Sequence, residues 1–346
     1  MGKMIRITLV KPGELVIDQT DKPKPGNDEI LLKVERCGVC GSDPTIYRGL
    51  HPYAKKPLIM GHEFSGTIEE LGKNVTHLKK GMRVTAIPHV VCGKCKPCLT
   101  ETYNFCEELK CMGAEADGAH VNYVNVDSKM VLPIPDTMTM DDAAMVEPAC
   151  VAYHGAKRGD IKPGDIALVV GAGPIGIFTM QSCRILGAKK VIIADLDEWR
   201  LNLAKELGAD GVVNVGKETL EQGLVRLLGS AKEIDVFYDC VGEKGKVFEE
   251  ILKIARRGTR IVIIGVLQNE YNIPHLPDFV QHELRISGTT MYVPQDYKEM
   301  IDLMGNGQIS TKGMITHYFK IDEIREVFKM IDSRKEPFFK IMLTYD

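Results

Sequence analysis

The run IALVVGAGPIGIFTMQ, residues 166–181, decides how the second half of this chain folds. Ile166–Val170 is a short apolar stretch with the length of a buried strand. Gly171-Ala-Gly173-Pro174-Ile175-Gly176 then makes a tight turn that opens a helical segment. A second apolar run, VIIAD, ends at Asp195, 19 residues past Gly176. Strand, G-x-G-x-x-G, helix and a later carboxylate are together the context in which this glycine pattern binds a dinucleotide. Gly171 permits the turn, Gly173 lets the backbone approach a pyrophosphate, and Gly176 allows close helix–strand packing, with the anion at the helix N-terminus. Asp195 can accept the ribose hydroxyls of NAD and would repel a 2′-phosphate, so NAD is expected over NADP. Arg200 is a candidate contact to the adenosine ribose, or a solvated helix residue. A ligand-free glycine turn is the alternative.

Outward from this stretch the same style continues. Strand-like runs at 166–170, 191–194, 211–215, 235–240 and 260–266 alternate with segments whose apolar residues recur at helical spacing, as Leu201, Ala204 and Leu207 do. Such alternation means a parallel, doubly wound sheet. The first 150 residues differ. They are strand-like runs, among them Glu29–Val39, 64–71 and 81–87, cut by Gly and Pro. After about residue 290 the pattern turns irregular again, with helical segments near 296–304 and 321–332. The expected division is a β-rich domain from 1–150 and 290–346 and a dinucleotide-binding α/β domain from 151–289.

Composition excludes several classes. At 346 residues with 44% hydrophobic and 26% charged content, the chain is globular and long enough for two domains. A net charge of −3 lacks the phosphate-neutralising excess of a nucleic-acid binder. No stretch reaches the roughly 18 apolar residues of a membrane span. Arg6 interrupts the short N-terminal apolar run, which therefore does not read as a secretory signal, and a cytoplasmic address is expected.

Ten cysteines then need an explanation other than disulfides. Cys92-x2-Cys95-x2-Cys98-x7-Cys106 places four thiols in one loop, a donor set that closes tetrahedrally around a structural zinc. Lys94 and Lys96 stand beside it and are expected to offset its negative charge. Cys37 and Cys40 form a separate C-x-x-C, with Gly61-His62-Glu63 about twenty residues on. A cysteine, a histidine and a carboxylate from separate segments are the ingredients of a zinc site with an open position. Cys37, Cys111, Cys150, Cys183 and Cys240 are assigned to packing.

C-G-V-C-G-S-D at 37–43, G-H-E at 61–63, the four-cysteine loop, E-P at 147–148 and G-A-G-P-I-G at 171–176 follow one another in an order that resembles the zinc-dependent medium-chain alcohol/polyol dehydrogenases over essentially the whole chain. Polyol dehydrogenases of the sorbitol type and threonine dehydrogenases are the branches it is most similar to. The resemblance implies a GroES-like catalytic domain plus a Rossmann domain, one catalytic and one structural zinc, NAD, and a homotetramer or homodimer. Cys40, His62 and Glu147 match the catalytic zinc ligands, Glu147 directly or through water. Glu63 matches a second-layer or alternating ligand, Ser42 the hydroxyl that relays the substrate proton, and Asp43 the carboxylate that orients the ligand histidine.

Two positions depart from that pattern. Thr45 stands where many relatives have a histidine that relays protons outward, and a hydroxyl cannot hold a proton near neutral pH as imidazole does. Pro44 replaces an aliphatic residue and stiffens the loop. The implied reaction is reversible oxidation of a secondary alcohol, in a polyol, sugar alcohol, sugar acid or cyclitol, to a ketone. Threonine or 2,3-butanediol is the alternative substrate. A silent zinc- and dinucleotide-binding protein, or a zinc-ribbon nucleic-acid binder, is the alternative outside enzymes. Phe64, Tyr47 and the segment 279–285 are expected as cleft walls. His51 is a further candidate there, and His154 is assigned to packing.

Overall fold

A computed structural model describes residues 3–242, 246–266 and 276–345. The chain divides into two compact units. The first comprises Met1–Glu147, Val293–Gly307 and Gly313–Asp346, and the second Pro148–Tyr292 and Gln308–Lys312.

The first unit is built on a seven-stranded sheet. Its order is Val131–Pro133, Arg83–Ala86, Glu63–Leu71, Glu29–Val39, Lys340–Thr344, Ile315–Lys320, with Tyr123–Asp127 also paired to Glu29–Val39. The pairings are antiparallel except that between the last two strands in this order. Glu29–Val39 is the central strand. Ile30, Leu31, Leu32 and Val34 are all fully buried, which is why its sequence runs apolar rather than alternating. Burial of each such side chain contributes about 1.5–3 kcal/mol. Register shifts between Leu31 and Leu32 and between Val34 and Arg36 bend its pairing with Glu63–Leu71. The strand therefore ends in a loop carrying Cys40, beside the segment that carries His62. Lys3–Lys11 pairs with Glu14–Asp21 and Leu58–Ile59 in a smaller sheet.

The second unit is a six-stranded parallel sheet in the order Gly211–Asn214, Lys190–Asp195, Ile166–Val170, Val236–Asp239, Arg260–Ile263, Arg285–Gly288. Numbered along the chain this is 3-2-1-4-5-6, the strand order of doubly wound dinucleotide-binding sheets. Leu168, Val170, Ile192, Phe237 and Ile261 form its core with Leu224, Phe248 and Ile251 from helices. The order reverses beside Ile166–Val170, so the turn after that strand opens at the crevice where such sheets bind ligands.

Sequence patterning missed the helix Met140–Arg158, which contains Pro148 and runs through the change of unit at Glu147. Its apolar residues crowd every side, as Ala143, Ala144, Met145, Val146 and Ala149 are all fully buried, so no periodic stripe marks it. Among the described residues no helix is long and apolar enough to cross a membrane.

Candidate active site and metal centres

The glycine turn has the shape its sequence implies. Gly171 has φ +98°, a left-handed conformation that costs glycine little. A Cβ on Gly176 would stand 1.7 Å from the Gly171 carbonyl oxygen, so the helix Pro174–Ile185 packs on the turn only because that side chain is absent. At Gly173 a Cβ would meet nothing nearer than the Arg200 guanidinium at 3.9 Å, which leaves open space over the turn. Gly173 is the N-cap of this helix and carries no capping side chain, so the first N–H groups are available to an anion. The Asp195 carboxylate accepts the N–H of Ala172 at 2.6 Å and of Asp197 at 2.9 Å, fixing the turn to the end of its neighbour strand. Arg200 pairs with Asp197 at 3.5 Å and lies over the Trp199 ring, and through Gly173 it borders the turn. The uncapped helix end and the bare glycine fit a dinucleotide pyrophosphate.

The four loop cysteines converge. Their sulfurs lie within 4.8 Å of one another, with Cys92 to Cys98 at 3.8 Å and Cys95 to Cys98 at 3.4 Å. Sulfurs around a tetrahedral zinc stand about 3.8 Å apart, whereas a disulfide requires about 2.05 Å. Backbone N–H groups act on the loop's sulfurs beside the flanking lysines. Lys94 is exposed and paired with Glu108 at 3.4 Å. The backbone N–H groups of Lys94 and Cys95 do most to bring the Cys92 thiol down to about 6. An exposed ammonium is screened by water and held off by its own carboxylate partner, while an amide aimed at sulfur is not.

Cys40, His62 and Glu63 form a second group, with one ligand atom from each within 4.8 Å of the others. The sheet produces it. Gly38 at the end of one strand is in register with Glu63 at the start of the next, so Cys40 and His62 lie just beyond paired strand ends. Asp43 accepts the Cys40 N–H at 2.8 Å and so closes the loop between them. Its other oxygen, and Nδ1 of His62, are buried without a partner. Burial raises the Asp43 carboxyl to about 6, against the opposing pull of His62. Burial disfavours a charged His62, but the Cys40 thiolate beside it wins and lifts the imidazole well above its ordinary value. A thiolate, an imidazole and a carboxylate, together with an orphaned acceptor that can orient the ring, fit a zinc ion better than any apolar or purely hydrogen-bonded packing.

Other predicted residues fall around this group. Ser42 caps the short helix Asp43–Tyr47 by position only, since its hydroxyl makes no capping bond and is left for other use. Glu147 is buried at 7% exposure. Its charge acts on the Cys111 thiol, as do those of His62, Glu115 and Cys40. Cys111, assigned to packing by its isolation in the sequence, therefore stands in the same electrostatic neighbourhood, with burial pushing it up to about 12. Cys37 is core, fully buried. His154 is buried as well. His51 is half-buried with its ring edge toward Tyr53.

Two expected cleft walls are corrected. Phe64 is fully buried within the sheet, in a stretch where residues 63–66 are buried on both faces. Tyr47 stacks on Phe328 at 4.3 Å and its hydroxyl donates to the Gly13 carbonyl, so its ring is spent on packing. The segment 279–285 runs from the helix Leu276–Gln281 to the edge strand Arg285–Gly288 of the second unit. Lys340 was not foreseen. It is buried against Glu63, and its one sequence signal is a lysine inside the apolar run FFKIML.

Comparison with known proteins agrees with this geometry. Residues 26–136 match the family "Alcohol dehydrogenase GroES-like domain" and residues 174–306 match "Zinc-binding dehydrogenase". The chain is 30% identical to the sorbitol dehydrogenase of Bacillus subtilis (strain 168), over 95% of this chain and 94% of that protein. A zinc-binding dehydrogenase from Sinorhizobium meliloti 1021, solved bound to NADP, superposes with a TM-score of 0.91 at 30% identity, covering all of both chains. An alcohol dehydrogenase of Escherichia coli CFT073, complexed with NADH, gives the same TM-score of 0.91 and 30% identity, again over all of both chains. With both family patterns met in chain order and relatives matched along their full length, the chain belongs to the zinc-dependent medium-chain alcohol and polyol dehydrogenases.

Proposed function

We propose that this enzyme oxidises one secondary hydroxyl of a polyol or sugar acid to a ketone, reversibly and with NAD, as a homo-oligomer. The observation that carries the reading is the convergence of Cys40, His62 and Glu63 within 4.8 Å, with Asp43 and His62 each holding one buried polar atom unpartnered. Cys40, His62 and Glu147 would hold the catalytic zinc, and Cys92, Cys95, Cys98 and Cys106 the structural one. When bound, zinc supplies Lewis acidity that lowers the pKa of an alcohol, and nicotinamide supplies a hydride acceptor.

The chain's own residues do the rest. Asp43 holds the Cys40 backbone with one oxygen, keeps the other unpartnered, and lies within the electrostatic reach of His62, where it can favour one tautomer and orientation of that ring. The Ser42 hydroxyl, uncommitted to its helix, accepts the substrate's hydroxyl proton. With Thr45 rather than an imidazole beyond it, the proton would leave through water, or through a cofactor ribose when one is bound. As ligands, Cys40 and Glu147 would together neutralise a divalent ion, which would suit exchangeable, hydroxyl-rich substrates. Asp195 supports NAD over NADP, because each of its oxygens keeps a lone pair for a ribose hydroxyl and a 2′-phosphate would meet its charge.

The test is a panel of polyols, sugar acids, threonine and 2,3-butanediol with NAD and NADP, followed by the near-ultraviolet absorbance of reduced nicotinamide. Turnover is expected with a vicinal-diol substrate and NAD, and Cys40→Ala is expected to abolish it. Faster turnover of threonine or butanediol, or activity surviving in Cys40→Ala, overturns the reading.

A further inference from the structure

Between the loop of Cys40 and the strand that follows His62 the chain runs PTIYRGLHPYAKKPLIMG, residues 44–61. This segment holds Arg48, Lys55 and Lys56 and neither Asp nor Glu. Arg48 is spent on Asp332. The two lysines have no carboxylate partner among the described residues. Backbone bonds fold the segment back on itself. The Arg48 N–H donates to the Pro44 carbonyl at 3.0 Å and the Leu50 N–H to the Thr45 carbonyl at 2.9 Å, with Gly49 between them at φ +75°. A Cβ on Gly49 would stand 3.5 Å from the Lys56 ammonium, so Lys56 lies back across the turn that leads into His51. The Lys55 N–H donates to the Ala114 carbonyl at 3.1 Å, which ties the segment to the loop of Cys111 and Glu115. There Glu115 accepts the Cys111 N–H at 2.9 Å. His51 stands among these groups, since the charges of Glu115, His62 and Lys56 all act on its ring. Its Nδ1 accepts the Tyr53 N–H at 3.4 Å, which puts the proton of the neutral ring on Nε2. An ammonium and an imidazole N–H, both partly buried, are thus gathered on the approach to His62.

We propose that Lys56 and His51 form a subsite for an anionic end of the substrate, a carboxylate or a phosphate, which makes the substrate a sugar acid or a sugar phosphate rather than a neutral polyol. The proposal rests on the reading that a secondary hydroxyl is oxidised at the group of Cys40 and His62. Drawing an ammonium partly out of water costs free energy that an internal carboxylate normally offsets. Lys56 has no such carboxylate among the described residues, so the offset is left to a ligand. Two donors, one of them fully charged, suit two oxygens of a carboxylate or phosphate. The terminal hydroxyl of an alditol offers one uncharged oxygen. Glu115 is the opposing charge, because it acts on the same ring, although the Cys111 N–H already holds one of its oxygens.

The experiment takes the zinc-loaded full chain with NAD and compares an aldonate, the alditol of the same configuration and the alditol 1-phosphate. One of the two anions is expected to exceed the alditol in kcat/KM by about tenfold, the ratio that one hydrogen bond to a charged group gives. Added salt is expected to narrow the gap. The anion that leads identifies the terminal group. Lys56→Met is expected to lower kcat/KM for that anion about tenfold, through KM, and to lower it less for the alditol. Lys56→Arg is expected to keep most of the preference, and Glu115→Gln to widen it. A readout without turnover uses the wild-type protein. Acylation of the Lys56 amine, followed by peptide mass spectrometry, is expected to slow when the anion is present and not when the alditol is. It also serves if Lys56→Met does not fold. Equal kcat/KM for the alditol and both anions, or a preference that survives Lys56→Met with no protection of the amine, overturns the anion subsite while the dehydrogenase reading stands. Absence of turnover with every secondary alcohol, charged or neutral, would instead overturn that reading and the subsite with it.

Discussion

At the scale of the residue, buried carboxylates show how local donors set charge. Asp239 ends the fourth parallel strand, fully buried, and accepts the N–H groups of Val241 and Gly242 through one oxygen, at 2.9 and 3.1 Å. The other oxygen has no partner. Burial pushes its carboxyl above the ordinary value, and the two N–H groups only partly pull it back. A folded pKa above the unfolded one means that folding favours the proton, so this contribution is present in acid and lost as pH rises through the folded pKa. Asp239→Asn keeps the acceptor and removes the charge. Its melting temperature is expected to exceed the wild-type value near neutral pH, with the gap closing on acidification; a gap that widens in acid contradicts the assignment. Asp195 differs, because both its oxygens are bonded to backbone N–H groups. Asp195→Ala is expected to raise the KM for NAD, to narrow the preference over NADP, and to cost about 1–3 kcal/mol of stability through the lost backbone bonds. An unchanged cofactor ratio counts against the ribose role. Spacing made Cys40, His62 and Asp195 legible because each sits in a short local motif. It could not show the partner of Lys340, which lies 277 residues away and meets it only through sheet register.

At the scale of the element, the four-cysteine lobe depends on its metal rather than on packing. It contains only the four-residue helix Lys96–Leu99 and the three-residue turn Tyr103–Phe105. Leu99 and Phe105 are exposed, at 73% and 50%, so the lobe has little apolar core of its own. A helix this short does not persist in water without tertiary support. Cys98→Ser is expected to lower the zinc content by one equivalent per chain and to make residues 92–106 protease-sensitive, while the second unit keeps its parallel-sheet circular dichroism. Unchanged proteolysis in a protein with one zinc fewer would show that the lobe is held by packing after all. The parallel strands were readable for the opposite reason. Buried on both faces, they appear as uninterrupted apolar runs such as IALVV and VIIAD. The helix Met140–Arg158 was not readable, since burial all round erases the period by which a helix is recognised.

At the scale of the whole molecule, chain order sets how the first unit is completed. The chain leaves that unit at Glu147, forms the second, and returns at Val293. Tyr297 of the returning segment donates its hydroxyl to the Ala86 carbonyl at 3.0 Å. The last strand, Lys340–Thr344, then enters between Glu29–Val39 and Ile315–Lys320, pairing with both. Ile341, Met342 and Leu343 are at most 1% exposed there, and Lys340 brings the only cation that Glu63 is bonded to among the described residues. Removing residues 340–346 therefore deletes three core side chains, about 1.5–3 kcal/mol each, and also leaves a buried carboxylate unpaired at about 3–5 kcal/mol. The sum approaches the whole stability of a typical domain, about 5–15 kcal/mol. The truncated chain is expected to lose the first unit's protease resistance and its zinc. The second unit, whose sheet is closed by Arg285–Gly288 before the return, should keep native far-ultraviolet circular dichroism and dinucleotide binding. Full zinc retention in the truncated chain would mean that the group formed by Cys40, His62 and Glu63 does not need the C-terminal strand, and the dependence drawn from sheet register would be wrong.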